Sequence, residues 1–108
     1  MKLTRQQIEI AAKMALDVVP GARVVVYGSQ VEGTAGPDSD LDLLLVVPVA
    51  YRRSRLTACV RDRLSGLRLP IHVRFMRDRV FDSEANTPGS MPCEAAQDGR
   101  IFSRGVQT

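Results

Sequence analysis

The sequence predicts an α/β (α+β) fold in which helices pack on a small mixed β-sheet. Helical and strand-like hydrophobic patterns alternate along the chain, Gly or Pro residues separate them, and the element order is α-β-α-β-α-β-α-α. We expect the 108 residues to form one domain, 1–108, with its own core. Apolar residues make up 44% and charged residues 25% of the chain, as in ordinary globular proteins.

The first half of the chain predicts two helices and two strands. A capping-box pattern precedes an apolar stripe at helical spacing, and Pro20 ends that helix. A β-branched run and an apolar run predict the two strands. In chain order, we expect a helix capped by Thr4 and Gln7, a strand at 22–27, a short helix after Ser29 that ends near Gly33, a loop at 34–39, and a strand at 40–47.

The second half predicts three more helices, a third strand and a short fourth strand. Cys59 falls in the apolar pattern of the first of these helices, so we expect a buried thiol. Gly66 follows the same helix as a candidate C-cap. In chain order, we expect a helix at 50–64, a strand at 70–76, a helix at 77–84, a helix at 90–97, and a short strand at 101–102.

A strand that leads into Gly28-Ser29 and a later pair of carboxylates indicate a chemical function. The helix that begins after Gly28 offers backbone N–H groups to a phosphate. Asp40 and Asp42 are separated by one residue on a strand, so their side chains share a face. Two carboxylates on a half-buried face repel each other unless a cation lies between them. The pattern therefore predicts a metal-dependent site for a nucleoside triphosphate.

These motifs resemble the minimal nucleotidyltransferase domain of the DNA polymerase β superfamily. The pattern of that family is Gly-Ser, a spacer, and then Asp-x-Asp at the head of a strand. The resemblance implies a polymerase β-like nucleotidyltransferase fold over most of the chain. Its segments here are Gly28-Ser29, Pro37-Asp38-Ser39, Asp40-Leu41-Asp42, Leu69-Pro70-Ile71, and Glu94 to Phe102.

The resemblance also implies roles for the residues of both motifs. Asp40 and Asp42 would be catalytic ligands of Mg²⁺ (or Mn²⁺), because carboxylate and phosphate oxygens are the usual ligands of such an ion. The reaction would move a nucleoside monophosphate, AMP from ATP, to an acceptor hydroxyl. The residues implied to contact the nucleotide are Gly28, Ser29, Gly33 and Ser39.

One position departs from the family pattern. A third carboxylate usually follows Pro70 on the next strand, and His72 occupies the matching position, which implies a catalytic role for it. The imidazole could act as a general base near neutral pH or bind Mn²⁺. Alternatively, the second metal site is lost and the chain is a catalytically impaired nucleotide-binding protein. Two nearby acids do not match the spacing of the pattern: Asp78 and Asp82.

The resemblance implies a protein partner. Minimal members of the family often act as antitoxins beside a helical HEPN-type toxin, and some modify a tyrosine of that partner. Our first hypothesis is an enzyme that transfers AMP to such a partner. The second is an impaired antitoxin that masks its partner by contact. The sequence leaves self-association open.

The net charge is only +3, but the arginines cluster. They form either a solvated helix face or a basic rim for a triphosphate, RNA or an acidic partner. RNA binding ranks last, because no aromatic residues are interleaved for base stacking. We expect a cytoplasmic protein that does not enter a membrane, and the two cysteines do not have zinc spacing. The clustered residues are Arg52, Arg53, Arg55, Arg61, Arg63, Arg68, Arg74, Arg77 and Arg79.

Overall fold

The computed structural model describes residues 2–36, 39–48 and 53–103. Helices and strands alternate in these ranges as the sequence predicts, and each predicted element is present. The elements are α1 (Arg5–Val18), β1 (Arg23–Tyr27), α2 (Ser29–Glu32), β2 (Leu41–Val47), α3 (Arg53–Ser65), β3 (Ile71–Arg77), α4 (Asp78–Glu84), α5 (Met91–Asp98) and β4 (Arg100–Ser103).

The four strands form one mixed sheet in the order β3-β2-β1-β4. β2 and β3 are parallel, and α3 connects them. β1 is antiparallel to both of its neighbours, β2 and β4. The predicted fold class, helices packed on a small mixed sheet, is therefore confirmed.

Helices cover both faces of the sheet, and each face has its own apolar core. Alternate residues of β1 and β2 point to opposite faces, so the two strands contribute to both cores. The larger core lies under α1 and α3, and it includes Leu41 and Leu43. The smaller core lies under α4 and α5, where Leu44 packs with Phe81. β1 and β2 are the two inner strands of the sheet, and both are buried on both faces.

β2 begins at Leu41, one residue later than predicted, so Asp40 lies just outside it. Leu41 pairs with Ile71, and its N–H donates to the Pro70 carbonyl oxygen at 2.7 Å. In this parallel ladder the next bond would run from the nitrogen of residue 70 to the Ser39 carbonyl oxygen, but Pro70 carries no N–H, and that oxygen accepts from Nε2 of Gln30 instead. Pairing of β2 with β3 therefore begins at Leu41. Leu41 and Asp42 point to opposite faces of the sheet, as strand alternation predicts.

α3 corrects two expectations. Its predicted start at residue 50 lies outside the described residues, and from Arg53 the helix continues to Ser65. The prediction of a buried Cys59 is wrong: Cys59 is exposed, and Cys93 of α5 is the buried thiol. The buried stripe of α3 repeats every four residues, and Cys59 lies one residue off that stripe. After the helix, the residue with positive φ is Arg68, at 53°, rather than Gly66.

A buried amide side chain ties the start of the chain to the loop before β2. Oε1 of Gln30 accepts a hydrogen bond from the Leu3 N–H at 2.9 Å, and Nε2 donates to the Ser39 carbonyl oxygen at 3.1 Å. The predicted capping box of α1 follows directly, since Thr4 accepts from the Gln7 amide at 3.1 Å. No helix within the described ranges has the length and apolar character needed to cross a bilayer.

We expect Gln30→Ala to lower the free energy of unfolding by about 1–3 kcal/mol, because it leaves the buried Leu3 N–H without an acceptor. Urea denaturation measures this change. Gln97→Ala is the control, since Gln97 is exposed on α5, and we expect a change within about 0.5 kcal/mol. Equal effects of the two substitutions would contradict a structural role for the Gln30 amide.

Candidate active site

Gly28 and α2 form a tight turn at the carboxyl end of β1. Gly28 has φ 85° and ψ −164°, a region of backbone space that is essentially restricted to glycine. The first hydrogen bond of the helix runs from the Val31 N–H to the Gly28 carbonyl oxygen at 3.1 Å. The Ser29 N–H lies before this bond, at the start of the helix. Gly33 ends α2 in the left-handed conformation, with φ 82°. The predicted turn is present, and phosphate binding by it stays a prediction.

The Asp42 carboxylate lies against Gly28. A Cβ atom placed on Gly28 would be 2.6 Å from Oδ2 of Asp42, closer than real Cβ contacts. The strand register explains this proximity, because Asp42 pairs with Tyr27 at the end of β1. Gly28 follows Tyr27, so it lies beside the carboxylate. The fold thus joins the Gly-Ser turn and one of the two predicted aspartates.

His72 lies on the other side of Asp42. The two residues pair across β2 and β3, and Nδ1 of His72 is 3.5 Å from Oδ1 of Asp42. The side chain of His72 is 45% exposed, and that of Asp42 is 29% exposed. The contact is an ion pair only when the imidazole is protonated. The alternation of residues 71–75 between the two faces of the sheet directs His72 to Asp42, while its chemical role stays a prediction.

Asp40 and Ser39 lie in the loop that enters β2. Asp40 is exposed, and it precedes Asp42 at the same end of the strand. The Ser39 hydroxyl accepts a hydrogen bond from the Gly36 N–H at 2.8 Å, and the Ser39 N–H donates to the Gly36 carbonyl oxygen at 3.2 Å. Ser39 thereby holds the loop, which the Gln30 amide also binds. Sequence analysis missed Gln30, because a single polar residue in a short helix gives no periodic signal.

Tyr27 is a second residue that sequence analysis missed. It pairs with Asp42 and lies on the same face of the sheet, where it packs beside the smaller core. Burial raises the pKa of the Tyr27 phenol, the negative charge of Asp42 raises this pKa further, and Arg74 acts in the opposite direction. The alternation of β1 was the available signal, since it puts Tyr27 on the face of Val25 and not on that of Val26.

A cavity of about 430 Å³ opens beside the Gly28 turn. Tyr27 and Gly28 form one side of it, and α5 forms the other. Its titratable lining is acidic, with carboxyl groups from α2 and α5. These groups repel phosphate, whereas they can accept hydrogen bonds from hydroxyl and amino groups. The acidic lining residues are Glu32, Glu94 and Asp98.

The two carboxylates at the head of β2 have the chemistry that would suit one hard cation. Asp40 and Asp42 supply carboxylate oxygens, which Mg²⁺ prefers, and an imidazole nitrogen from His72 suits softer metals. Within the described residues, no three or more acidic, His or Cys side chains form a group that could enclose a metal ion. Asp78 accepts from the Arg79 N–H, and Asp82 pairs with Arg23 at 3.0 Å. The described residues therefore supply two carboxylates and no third one.

The geometry can be compared with known proteins. A model of the nucleotidyltransferase domain family matches residues 5–101, which include every element from α1 to β3 and the candidate site. The chain belongs to the nucleotidyltransferase domain family. Membership indicates a role in nucleotidyl transfer and confirms the resemblance found in the sequence. A search of curated proteins found no match.

We expect Gly28→Ala to destabilise this nucleotidyltransferase domain by at least about 2 kcal/mol more than Gly33→Ala, as measured by urea denaturation. Gly33 has the left-handed conformation that other residues adopt at moderate cost, whereas Gly28 has a conformation essentially restricted to glycine, and an added Cβ there would also have to displace Oδ2 of Asp42. Combining Gly28→Ala with Asp42→Ala should recover part of the loss, because the collision is then removed. Equal costs at the two glycines would show that the close approach is unimportant.

We expect the pKa of Tyr27 to lie above the ordinary value of 10.0, and Asp42→Asn to lower it only partly, because burial is the larger cause. Tyrosinate absorbance in a Tyr51→Phe background measures it, since the chain has two tyrosines. Asp62→Asn, an exposed change on α3, should have no effect. As pH rises, the phenol of Tyr27 loses its proton in the unfolded chain before it does so in the folded chain. The stability that the neutral phenol contributes is therefore present below pH 10 and is lost as pH rises through the folded-state pKa. If the pKa of Tyr27 is unchanged in Asp42→Asn, the electrostatic effect of Asp42 on Tyr27 is contradicted.

Proposed function

We propose that this chain transfers a nucleoside monophosphate, AMP from ATP, to a hydroxyl group of a protein partner in a reaction that requires Mg²⁺ or Mn²⁺. The observation that carries this proposal is the position of the Asp42 carboxylate, which lies against Gly28 at the start of α2. A carboxylate next to the amides at the start of a helix would repel a phosphate unless a cation lay between them. That arrangement therefore supports a site for a metal–triphosphate complex.

Each part of the nucleotide has a proposed position. Ser29 and the backbone amides after Gly28 would hold the β and γ phosphates. Asp40 and Asp42 would hold one cation, which supplies charge neutralisation on the phosphates and on the leaving pyrophosphate. The acidic cavity between α2 and α5 would take the uncharged ribose and base, whose hydroxyl and amino groups can donate to its carboxylates.

His72 is the proposed base for the acceptor hydroxyl. Its Nδ1 faces Asp42, which leaves Nε2 on the far side of the half-exposed ring. The acceptor oxygen would bond to the α phosphorus as the bond from this phosphorus to the bridging oxygen of the β phosphate breaks. Pyrophosphate leaves, and the hydroxyl proton moves to Nε2. Asp42 would orient the ring and stabilise its protonated form.

A helical HEPN-type protein is the proposed partner, with this chain as its antitoxin. The proposal rests on the resemblance to minimal nucleotidyltransferases and on the exposed arginines of α3, which offer a charged contact surface. A second candidate function is inhibition of that partner by contact without catalysis. The imidazole next to Asp42, in the position of a third carboxylate, favours this alternative, because it supplies no strong ligand for a second Mg²⁺.

The test uses ATP labelled at the α phosphate, the purified chain, Mg²⁺ or Mn²⁺, and a purified helical HEPN-type protein as the acceptor. We expect label in the partner, and Asp42→Asn should reduce the transfer by more than about 100-fold, since losing residues that merely support metal ligands costs about 10–100-fold. Asp62→Asn is the control. Calorimetry of ATP with Mg²⁺ should show weaker binding to Asp42→Asn; equal binding and equal transfer would contradict the site.

His72 variants separate the two candidate functions. If His72 is the base, His72→Ala should abolish transfer by a chain that is otherwise active, and His72→Asp should not raise its rate. If the site is impaired, the natural chain should be nearly inactive with Mg²⁺, and His72→Asp should restore transfer by supplying the missing carboxylate. Label transfer to the partner is the measurement in both cases. If the natural chain is active and His72→Ala does not change its activity, both accounts are contradicted.

A further inference from the structure

A groove of about 750 Å³ runs along the outer edge of β3. Five consecutive residues of this strand, 73–77, line it. Successive side chains of a strand point to opposite faces of the sheet, so a single cavity can contact all five only along the strand edge. Thr57 and Arg61 of α3 form one wall, and Val80 of α4 belongs to the other.

This edge has no partner strand within the described residues. β3 is the terminal strand of the sheet, and β2 is its neighbour. Every second residue of an edge strand directs its N–H and C=O groups away from the sheet, where another extended chain can pair with them. β3 is seven residues long, which is enough for an added strand of ordinary length. The groove therefore has the geometry that peptide binding by strand addition requires.

The charge of the groove selects the occupant. Three arginines line it, and none of its lining residues is acidic. Arg61 lies on the α3 side, whereas Arg74 lies on the opposite face of the sheet, so positive charge flanks both sides of the open edge. A second copy of the chain, paired edge to edge, would bring these arginines next to their own counterparts, which is unfavourable. An acidic extended segment would complement them. The three residues are Arg61, Arg74 and Arg77.

The edge leads directly to the candidate active site. His72 precedes the groove residues on β3, and its Nδ1 is 3.5 Å from Oδ1 of Asp42. One step of two residues along a strand is about 6.6 Å, so a segment paired with Arg74 reaches the level of His72 within one such step. We propose that the outer edge of β3 binds an acidic, extended segment of the acceptor protein as an added strand, which places the acceptor hydroxyl beside His72. The acceptor role of this segment rests on the proposed function.

The probe is a fluorescent peptide of about ten residues in which Glu alternates with Thr or Val around one Tyr. Fluorescence anisotropy at low salt measures its binding, which needs neither ATP nor metal. We expect Arg61→Glu to weaken binding by about tenfold or more, because a charge at the open edge is reversed. Arg63→Glu is the matched control on the same helix; Arg63 lies 3.7 Å from Asp17, and we expect less than about a twofold change.

Two further measurements identify strand addition. The bound peptide should slow hydrogen exchange of the amides at 73–77 that point away from β2. The same peptide with N-methylated backbone at alternate positions keeps its charge but loses main-chain donors, so it should bind at least about tenfold more weakly. Equal binding of the methylated peptide, equal effects of the two arginine reversals, or no binding at all would overturn the proposal.

Other occupants give different results. A dimer in light scattering, with amides 73–77 protected before any peptide is added, would assign the edge to a second copy and overturn the proposal. Protection of these amides by an RNA oligonucleotide and not by the peptide would do the same. Peptide binding at the edge without AMP transfer would leave the docking surface intact and count against the proposed function alone. If the natural chain does not bind the peptide, and Arg61→Glu does not change AMP transfer to the partner, the docking surface alone is overturned.

Discussion

The candidate site depends on one close approach, that of the Asp42 carboxylate to Gly28. Oδ2 of Asp42 occupies the space that a Cβ atom at position 28 would need, and the backbone there has φ 85°. Glycine therefore meets two requirements at once, the turn and the space for the carboxylate. Any larger residue would have to displace Oδ2 of Asp42 and would also have to hold a backbone conformation that is essentially restricted to glycine.

Strand directions bring the parts of the site to one end of the sheet. β2 and β3 are parallel, so their amino ends, which carry Asp42 and His72, lie side by side. β1 is antiparallel to β2, so its carboxyl end, followed by Gly28, lies at that same end. Three segments far apart in the chain are thus joined by backbone pairing, and buried apolar side chains on both faces hold this pairing in place.

The sequence was sufficient where a local or periodic signal existed. The family motif singled out Asp42 and His72, and capping chemistry predicted the start of α1. It failed where the outcome depends on residues distant in the chain. Asp40 lies outside β2 because Pro70, which follows α3, has no N–H to donate to the Ser39 carbonyl oxygen, and the exposure of Cys59 depends on where α1 lies against α3. Gln30 was missed for the same reason, since its partners are Leu3 and Ser39.

The charges around the site are divided between its two sides. The cavity beside Gly28 has acidic side chains from α2 and α5, whereas the groove along β3 has arginines and no acid among its lining residues. Asp42 and His72 lie between the two regions, because Tyr27 of the cavity, Asp42 and His72 pair in one row across three strands. A polyanion is repelled from the first side and attracted to the second, whereas a neutral, hydroxyl-bearing group can enter the first. In the proposed reaction, the uncharged ribose and base of the nucleotide would therefore enter the first side, while an acidic segment of the acceptor protein would bind the second, so that the two do not compete for one surface.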